Sequence, residues 1–205
     1  MVDPRDERVV PKNMNPRNGL LMEHVARYKF AGSFVWGRVL DIACGVGYGS
    51  EIILKGPGRW LVKEMIGLDS DSASIEYARR YYFHPKANFV LGDALDTNLH
   101  KSVGLFDSII SFETIEHLEQ DEAFIENLKK VLKDDGLLII STPLGQGRNK
   151  PCTCPFHFFQ YTLEEFQKLL EKNFNEVEIF LQKDIVIEKP IPGKKYYLAV
   201  ATCRK

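Results

Sequence analysis

Short apolar runs and amphipathic stretches take turns along most of this chain. Runs of strand length lie at 38–43, 65–69, 88–91, 106–112, 137–142, 177–181 and 197–203, and helical patterns at 48–54, 72–82, 121–132 and 163–172. Such alternation predicts an α/β fold in which a parallel sheet is covered by helices on both faces. In the third of these helices Phe124, Ile125, Leu128, Val131 and Leu132 form one stripe opposite Glu126, Lys129 and Lys130, and Gly136 ends the connection into the next strand. The start of the fourth is marked twice, by the capping-box pair Thr162 and Glu165 and by Tyr161 and Phe166 at the spacing of a hydrophobic staple.

Ahead of the first strand, residues 15–34 read as an amphipathic helix, about 16–34, with Asn15 as N-cap and Pro16 at its first position. Preceding the sheet, it is free to pack over the strand ends. Near the other terminus, residues 187–195 (IEKPIPGKK) read as an exposed hairpin connection between the last two strands.

At 205 residues and 44% hydrophobic, the chain has material for one sizeable core, so a single domain over 1–205 is expected. The formal net charge is -1 with both signs interspersed, which gives no footprint for nucleic acid or an anionic membrane. The N-terminus is charged from the start and no segment approaches the roughly 18 apolar residues of a membrane span, so a cytoplasmic location is expected. Four cysteines, Cys44, Cys152, Cys154 and Cys203, are too few and too uneven for a disulfide framework and are expected to be reduced.

Chemistry enters at VLDIACGVGYGS, residues 39–50, where an apolar strand runs into Asp41 and then into glycines at 45, 47 and 49. A strand that ends in a side-chain-poor turn and enters a helix presents bare backbone amides at the sheet's C-terminal edge, where ligands of open α/β folds bind. A dinucleotide fingerprint needs G-x-G-x-x-G, but Ser50 stands where the third glycine belongs. Asp41 is also a poor neighbour for a pyrophosphate. S-adenosylmethionine carries an ammonium and a sulfonium and no phosphate, and suits a carboxylate there. The second strand ends in Asp69, placed to accept ribose hydroxyls from either ligand, and the third in Asp93, placed to meet an adenine amine beside the Ala94 amide. A simple cap on the turn after Gly92 is the alternative for Asp93.

With IGLDSD (66–71) and GDAL (92–95), the first motif resembles those of class I S-adenosylmethionine-dependent methyltransferases, and the similarity runs from about Glu7 to the C-terminus. The resemblance implies a Rossmann-like, doubly wound sheet of seven strands, mostly parallel with the last antiparallel, helices on both faces, and the N-terminal helix over the cofactor edge. It implies S-adenosylmethionine as cofactor and S-adenosylhomocysteine as product. Carried over residue by residue, cofactor contacts fall on Asp41, Ala43, Cys44, Gly45, Gly47 and Tyr48, on Asp69 and Ser70, on Asp93 and Ala94, and on Phe112 and Glu113. Ala43 departs from the commonest motif, which has glycine; alanine is small enough for its carbonyl to reach the methionine amine. Within the family, ERVVP, EHVARYKFA and PFHFFQYTLEEF look most like small methyltransferases of polysaccharide and sugar biosynthesis, which implies a hydroxyl of a sugar-like or related small metabolite as acceptor.

The fourth strand ends in SFETIEHLEQ. It lacks an Asn or Asp followed by Pro-Pro-aromatic, which disfavours amide or adenine nitrogen as acceptor. Pro151-Cys152 follows the fifth strand rather than the fourth, which disfavours cytosine carbon-5 chemistry. Glu113, Glu116 and His117 share a face if this segment makes a helical turn, and His157 belongs to a loop that should cover the same edge. Together these four could bind a divalent ion, and the set resembles the site of metal-using ubiquinone-pathway and small-RNA O-methyltransferases. The plainer reading has no metal: Glu116 and His117 fix the loop, and Glu113 faces the sulfonium through its backbone. The catalytic candidates are therefore His117, His157 and Glu116, either imidazole being able to act as base. Phe156, Phe158, Phe159 and Tyr161 either line the acceptor pocket or belong to the core. His24, Arg27 and Tyr28 either touch the methionine carboxylate or face solvent. A zinc site from Cys152, Cys154 and His157 lacks a second ligand pair. Two other functions stay open: a nicotinamide-dependent oxidoreductase and a non-catalytic S-adenosylmethionine-binding module. The expected partner is a small-molecule acceptor, without nucleic acid or membrane, for a monomer or homodimer.

Overall fold

A computed structural model describes residues 9–152 and 154–205, so Glu7 and the first charged residues lie outside the described part. The strands are β1 (Gly37–Ile42), β2 (Val62–Asp69), β3 (Ala87–Leu91), β4 (Phe106–Phe112), β5 (Leu132–Pro143), β6 (Glu176–Lys183), β7 (Val186–Glu188) and β8 (Leu198–Arg204). They form one sheet in the order β3-β2-β1-β4-β5-β8-β6-β7. From β3 to β5 every pairing is parallel, while β8 runs antiparallel between β5 and β6.

The helices are α1 (Gly19–Ala31), α2 (Tyr48–Lys55), α3 (Ser72–Tyr81), α4 (Leu99–Val103), α5 (Asp121–Val131) and α6 (Leu163–Glu171). Because side chains alternate along a strand, Leu40 and Ile42 of β1 face one layer with Phe124 and Leu128 of α5 and Phe166 of α6. Val39 faces the other, with Leu21 and Tyr28 of α1, Ile53 of α2 and Ile75 of α3. Each fully buried side chain of this size contributes about 1.5–3 kcal/mol, so neither layer is dispensable. Both local signals before α6 are present: Thr162 accepts the Glu165 N–H at 3.2 Å while the Glu165 carboxylate takes the Thr162 N–H at 2.8 Å, and the Tyr161 and Phe166 rings lie 5.8 Å apart.

β5 begins at Leu132, directly after α5, so Gly136 lies within the strand rather than ending the connection into it. Three further expectations change. The sheet has eight strands rather than seven: the segment read as connection begins with β7, paired antiparallel to β6 across a two-residue turn between Lys183 and Val186. Asp184, at φ 53°, permits that turn, because a short polar side chain tolerates the left-handed region. Second, α1 starts later than Asn15 and Pro16 suggest. Asn18 is its N-cap, accepting the Leu21 N–H at 3.1 Å, and Asn15 closes the preceding turn by accepting the Arg17 N–H at 2.9 Å. Third, β1 ends at Ile42, because Ala43 turns into the left-handed region at φ 58°.

Among the described residues no helix is long and apolar enough to cross a membrane.

Candidate functional site

The reversal at Ala43 starts a loop over the C-terminal tip of β1. Gly45 follows at φ +54° and Gly47 at φ +83°. The glycines serve different ends. A Cβ on Gly45 would meet nothing within 4 Å among the described residues, whereas one on Gly47 would strike Phe89 and Ala78, and one on Gly49 would lie 2.1 Å from the Tyr28 ring. Only the first therefore opens space toward a ligand; the other two let α3 and α1 close on the loop.

The Gly45 N–H donates to Asp69 Oδ2 at 2.8 Å, and the Asp71 N–H to Asp69 Oδ1 at 2.9 Å. A carboxylate offers about four lone-pair sites, so Asp69 retains capacity for a second set of donors. Its neighbour Ser70 and the loop residues Ala43, Cys44, Gly45 and Tyr48 line a cavity of about 590 Å³. This volume falls within the usual range for small-molecule sites.

Asp41 stands beneath this lining. It is buried, and both its oxygens accept from the Tyr28 hydroxyl, at 3.1 and 3.2 Å. Burial pushes its carboxyl up to about 8, against the pull of the Tyr28 hydrogen bond, and Asp69 adds to the rise. Tyr28 packs edge-on against Tyr48 and Phe112, and the Tyr48 hydroxyl lies 3.0 Å from His24 Nδ1. Leu20, His24 and Tyr28, four residues apart on α1, all line the cavity, so that helix does cover the edge. Burial holds the His24 imidazole well below its ordinary value, with Arg27 adding to the effect.

Arg27 is almost wholly buried. Its Nη1 donates to Gln182 Oε1 of β6 at 2.9 Å and its Nη2 lies 4.0 Å from Glu113 Oε2, while Nε and Nη2 have no hydrogen-bond partner among the described residues. A buried guanidinium with unused donors is costly unless an anion completes it.

Where β4 ends, Glu113 sits at φ 48°, a strained conformation for a side-chain-bearing residue. Ser141 of β5 holds it, donating to Glu113 Oε1 at 3.0 Å and accepting the Glu113 N–H at 3.3 Å. The helical turn expected next is a short 3-10 turn, Ile115–His117. Buried Glu116 accepts from the Thr142 hydroxyl at 3.1 Å through Oε2, and its Oε1 has no partner among the described residues. Burial lifts the Glu116 carboxyl well above the carboxylate range, with Glu113 adding to it. Burial raises the Glu113 carboxyl as well, opposed by Arg27.

His117 Nδ1 lies 2.9 Å from the Phe156 carbonyl, which can only accept, so this nitrogen carries the proton. The His157 ring stands edge-on to His117, 4.6 Å between centres. Ligand-capable atoms of Glu116, His117 and His157 lie within 4.8 Å of one another. Glu113, turned toward Ser141 and Arg27, is not in that group.

Phe112, Glu113, Glu116, His117, Phe156 and His157 thus share the cavity with the β1 loop. Asp41, Gly47, Asp93 and Ala94 are not among its lining residues, and Asp41, read from the sequence as a carboxylate facing the cofactor's cation, is instead taken up by the Tyr28 hydroxyl. Asp93 is exposed and its Oδ1 takes the Leu95 N–H at 2.8 Å, while the Ala94 carbonyl takes Asn127 Nδ2 at 3.0 Å. Phe158 is exposed, and Phe159 and Tyr161 pack into the core rather than the cavity. Cys152 lines a separate cleft of about 200 Å³. Sequence reasoning missed Ser141, Thr142 and Gln182, which hold the charged groups, and Leu118 and Pro143 in the lining. Apolar strand neighbours carry no local mark of such roles.

Comparison with known proteins agrees with this geometry. The family described as a methyltransferase domain matches residues 40–140. A protein of Mycolicibacterium smegmatis named "Probable S-adenosylmethionine-dependent methyltransferase" is 30% identical over 177 residues, 84% of this chain and 65% of that protein. A "Ubiquinone biosynthesis O-methyltransferase" of Pelagibacter ubique is 32% identical over 107 residues, 51% of this chain and 41% of that one. The chain thus spans less than two thirds of the length of these curated relatives. Among solved structures, the plantazolicin methyltransferase BpumL in complex with SAH superposes with a TM-score of 0.64 at 18% identity, over 89% of this chain and 84% of that one.

Proposed function

Because the chain belongs to the class I S-adenosylmethionine-dependent methyltransferase family, we propose that it methylates a small molecule at a hydroxyl, a sugar-like or related metabolite being the acceptor class. The observation that carries the reading is the cavity itself, in which the Gly45 opening, the Asp69 carboxylate and the Glu116–His117–His157 group face one space.

The residues present fit the cofactor. In this reading Asp69 and Ser70 take the ribose and the Gly45 opening admits the nucleoside, while Arg27, which is buried and does not line the cavity, supports that edge from behind through Glu113. Asp93 and Ala94, beyond the lining, serve the adenine edge in this reading. When bound, S-adenosylmethionine supplies a methyl carbon made electrophilic by the positive sulfur. The protein then has to hold an acceptor oxygen in line with that carbon, exclude water and remove the hydroxyl proton. His117, its Nδ1–H fixed on Phe156, has Nε2 left as the basic nitrogen, and His157 stands beside it. Burial lifts the Glu116 carboxyl well above the carboxylate range, which eases the approach of an acceptor oxygen beside it.

Calorimetry with S-adenosylhomocysteine tests the reading. Wild type should bind, and Asp69→Ala should weaken binding by about tenfold or more, as expected for losing hydrogen bonds to a charged group. Silence from wild type, or equal affinity in the variant, refutes it. Binding of a reduced nicotinamide instead would favour the oxidoreductase. S-adenosylhomocysteine release with a panel of hydroxylated metabolites separates an enzyme from a binding module.

A second reading adds a divalent ion, favoured by the partnerless Glu116 Oε1 beside two imidazoles. Glu116, His117 and His157 would hold it, with Glu113 a fourth candidate only after leaving Ser141. The ion would supply Lewis acidity toward the acceptor oxygen. The Phe156 carbonyl on His117 Nδ1 is the outer-shell bond such a ligand needs. Manganese titration followed by electron paramagnetic resonance should show one site, lost in His157→Ala; an identical titration in both proteins refutes this addition.

A further inference from the structure

The loop over 144–162 carries Phe156 and His157 from β5 toward the cavity before α6 begins. It meets the turn after β4 at two points: the Phe158 N–H donates to the Glu116 carbonyl at 2.9 Å, and His117 Nδ1 donates to the Phe156 carbonyl at 2.9 Å. Its described residues hold no helix and one isolated bridge, Leu144 to Tyr161, with the Gly145 N–H on the Tyr161 carbonyl at 2.8 Å; beyond that tie at its base, the loop depends on contacts outside it to keep one shape.

Asp121, the first residue of α5, touches both. On the outgoing limb Arg148 Nη2 donates to Asp121 Oδ1 at 2.8 Å, and the Arg148 N–H reaches the Glu165 carboxylate at 3.1 Å. The Arg148 guanidinium also lies 4.7 Å from the centre of the Phe159 ring. On the returning limb the Tyr161 hydroxyl donates to Asp121 Oδ2. The Glu122 N–H completes the set at 2.9 Å on Oδ1. The Asp121 side chain is 3% exposed, so this carboxylate depends on its partners, whereas Arg148 is 40% exposed and can be altered without opening the core.

We propose that Asp121 is a positioning residue: through Arg148 and Tyr161 it clamps the two limbs of the loop and thereby sets where His157 stands against Glu116 and His117. The clamp matters for methyl transfer only if the function proposed above holds, but its geometry and its test do not depend on turnover.

Amide exchange and histidine-ring NMR on the full chain, with S-adenosylhomocysteine calorimetry in parallel, test it. Arg148→Ala should speed exchange at the Phe158 amide about tenfold and shift the ring signals of His117 and His157, with cofactor-product affinity kept within about twofold. Arg148→Lys, which keeps a cation for Asp121, should restore most of the protection. Tyr161→Phe removes the side-chain contact of the returning limb with Asp121 and should give the same signature. Unaltered exchange and unaltered histidine signals in both Arg148→Ala and Tyr161→Phe overturn the proposal. So does loss of protection spread evenly over the sheet, which would make Asp121 an ordinary stability contact. A wild type that fails to bind S-adenosylhomocysteine would instead overturn the cofactor reading and leave the clamp standing.

Discussion

Single residues in the β1 loop bear strain and close approach that composition alone does not reveal. Ala43 holds φ 58°, where an L-residue with a Cβ costs about 1–2 kcal/mol relative to glycine. Ala43→Gly should therefore leave denaturant stability unchanged or raise it by up to about 1 kcal/mol after the entropy cost of glycine is offset; a clear loss would show that the methyl group packs usefully. Gly49→Ala should cost about 1–3 kcal/mol by the same measurement, since its Cβ would overlap the Tyr28 ring. Asp41 gives a pH signature. Its folded carboxyl is raised to about 8, so the folded state holds a proton the unfolded chain has released. Its contribution to stability is greatest below the unfolded value near 4 and declines as pH rises toward about 8. Melting of wild type against Asp41→Asn across roughly pH 5 to 8 should show wild type losing ground as pH increases; a gain would contradict the assignment. The position of Asp69 at a strand end facing the cavity was legible, but the burial of Asp41 beneath Tyr28 was not. Nothing near position 28 tells an outward helix face from one pressed against a glycine.

Among the elements, legibility follows how local the signal is. The start of α6 could be read because the capping box and staple span six residues, 161–166, and Thr162→Ala should cost about 1 kcal/mol in equilibrium unfolding. The start of α1 was displaced because Asn15 and Asn18 are both able caps, and the choice between them depends on where Leu21 is buried. The strand β7 escaped notice for a different reason. Three residues, Val186–Glu188, make no periodicity, and only the turn at Asp184 brings them back onto β6. The turn at 115–117 was foreseen as helical, and it does gather Glu116 and His117, but strain at Glu113 directs that carboxylate to Ser141 instead.

At the scale of the molecule, five parallel strands and the antiparallel β8 were readable because each apolar run is long enough to be buried from both sides. The contacts that shape the cavity were not, since they join distant parts of the chain. Arg27 meets Gln182 across 155 positions, and Asp121 meets Tyr161 across 40. A core truncation such as Leu128→Ala should cost about 2–5 kcal/mol in equilibrium unfolding, with little sign at the cofactor edge if S-adenosylhomocysteine affinity is followed alongside. Gln182 is a different matter. It ties the first helix to a strand near the far terminus through one guanidinium, and also accepts no slack of its own, since its amide nitrogen reaches the carbonyls of Glu23 and Asp184. A cut, tag or insertion at the tip of that distal hairpin should consequently disturb the cavity edge that α1 covers, because the same guanidinium reaches toward Glu113.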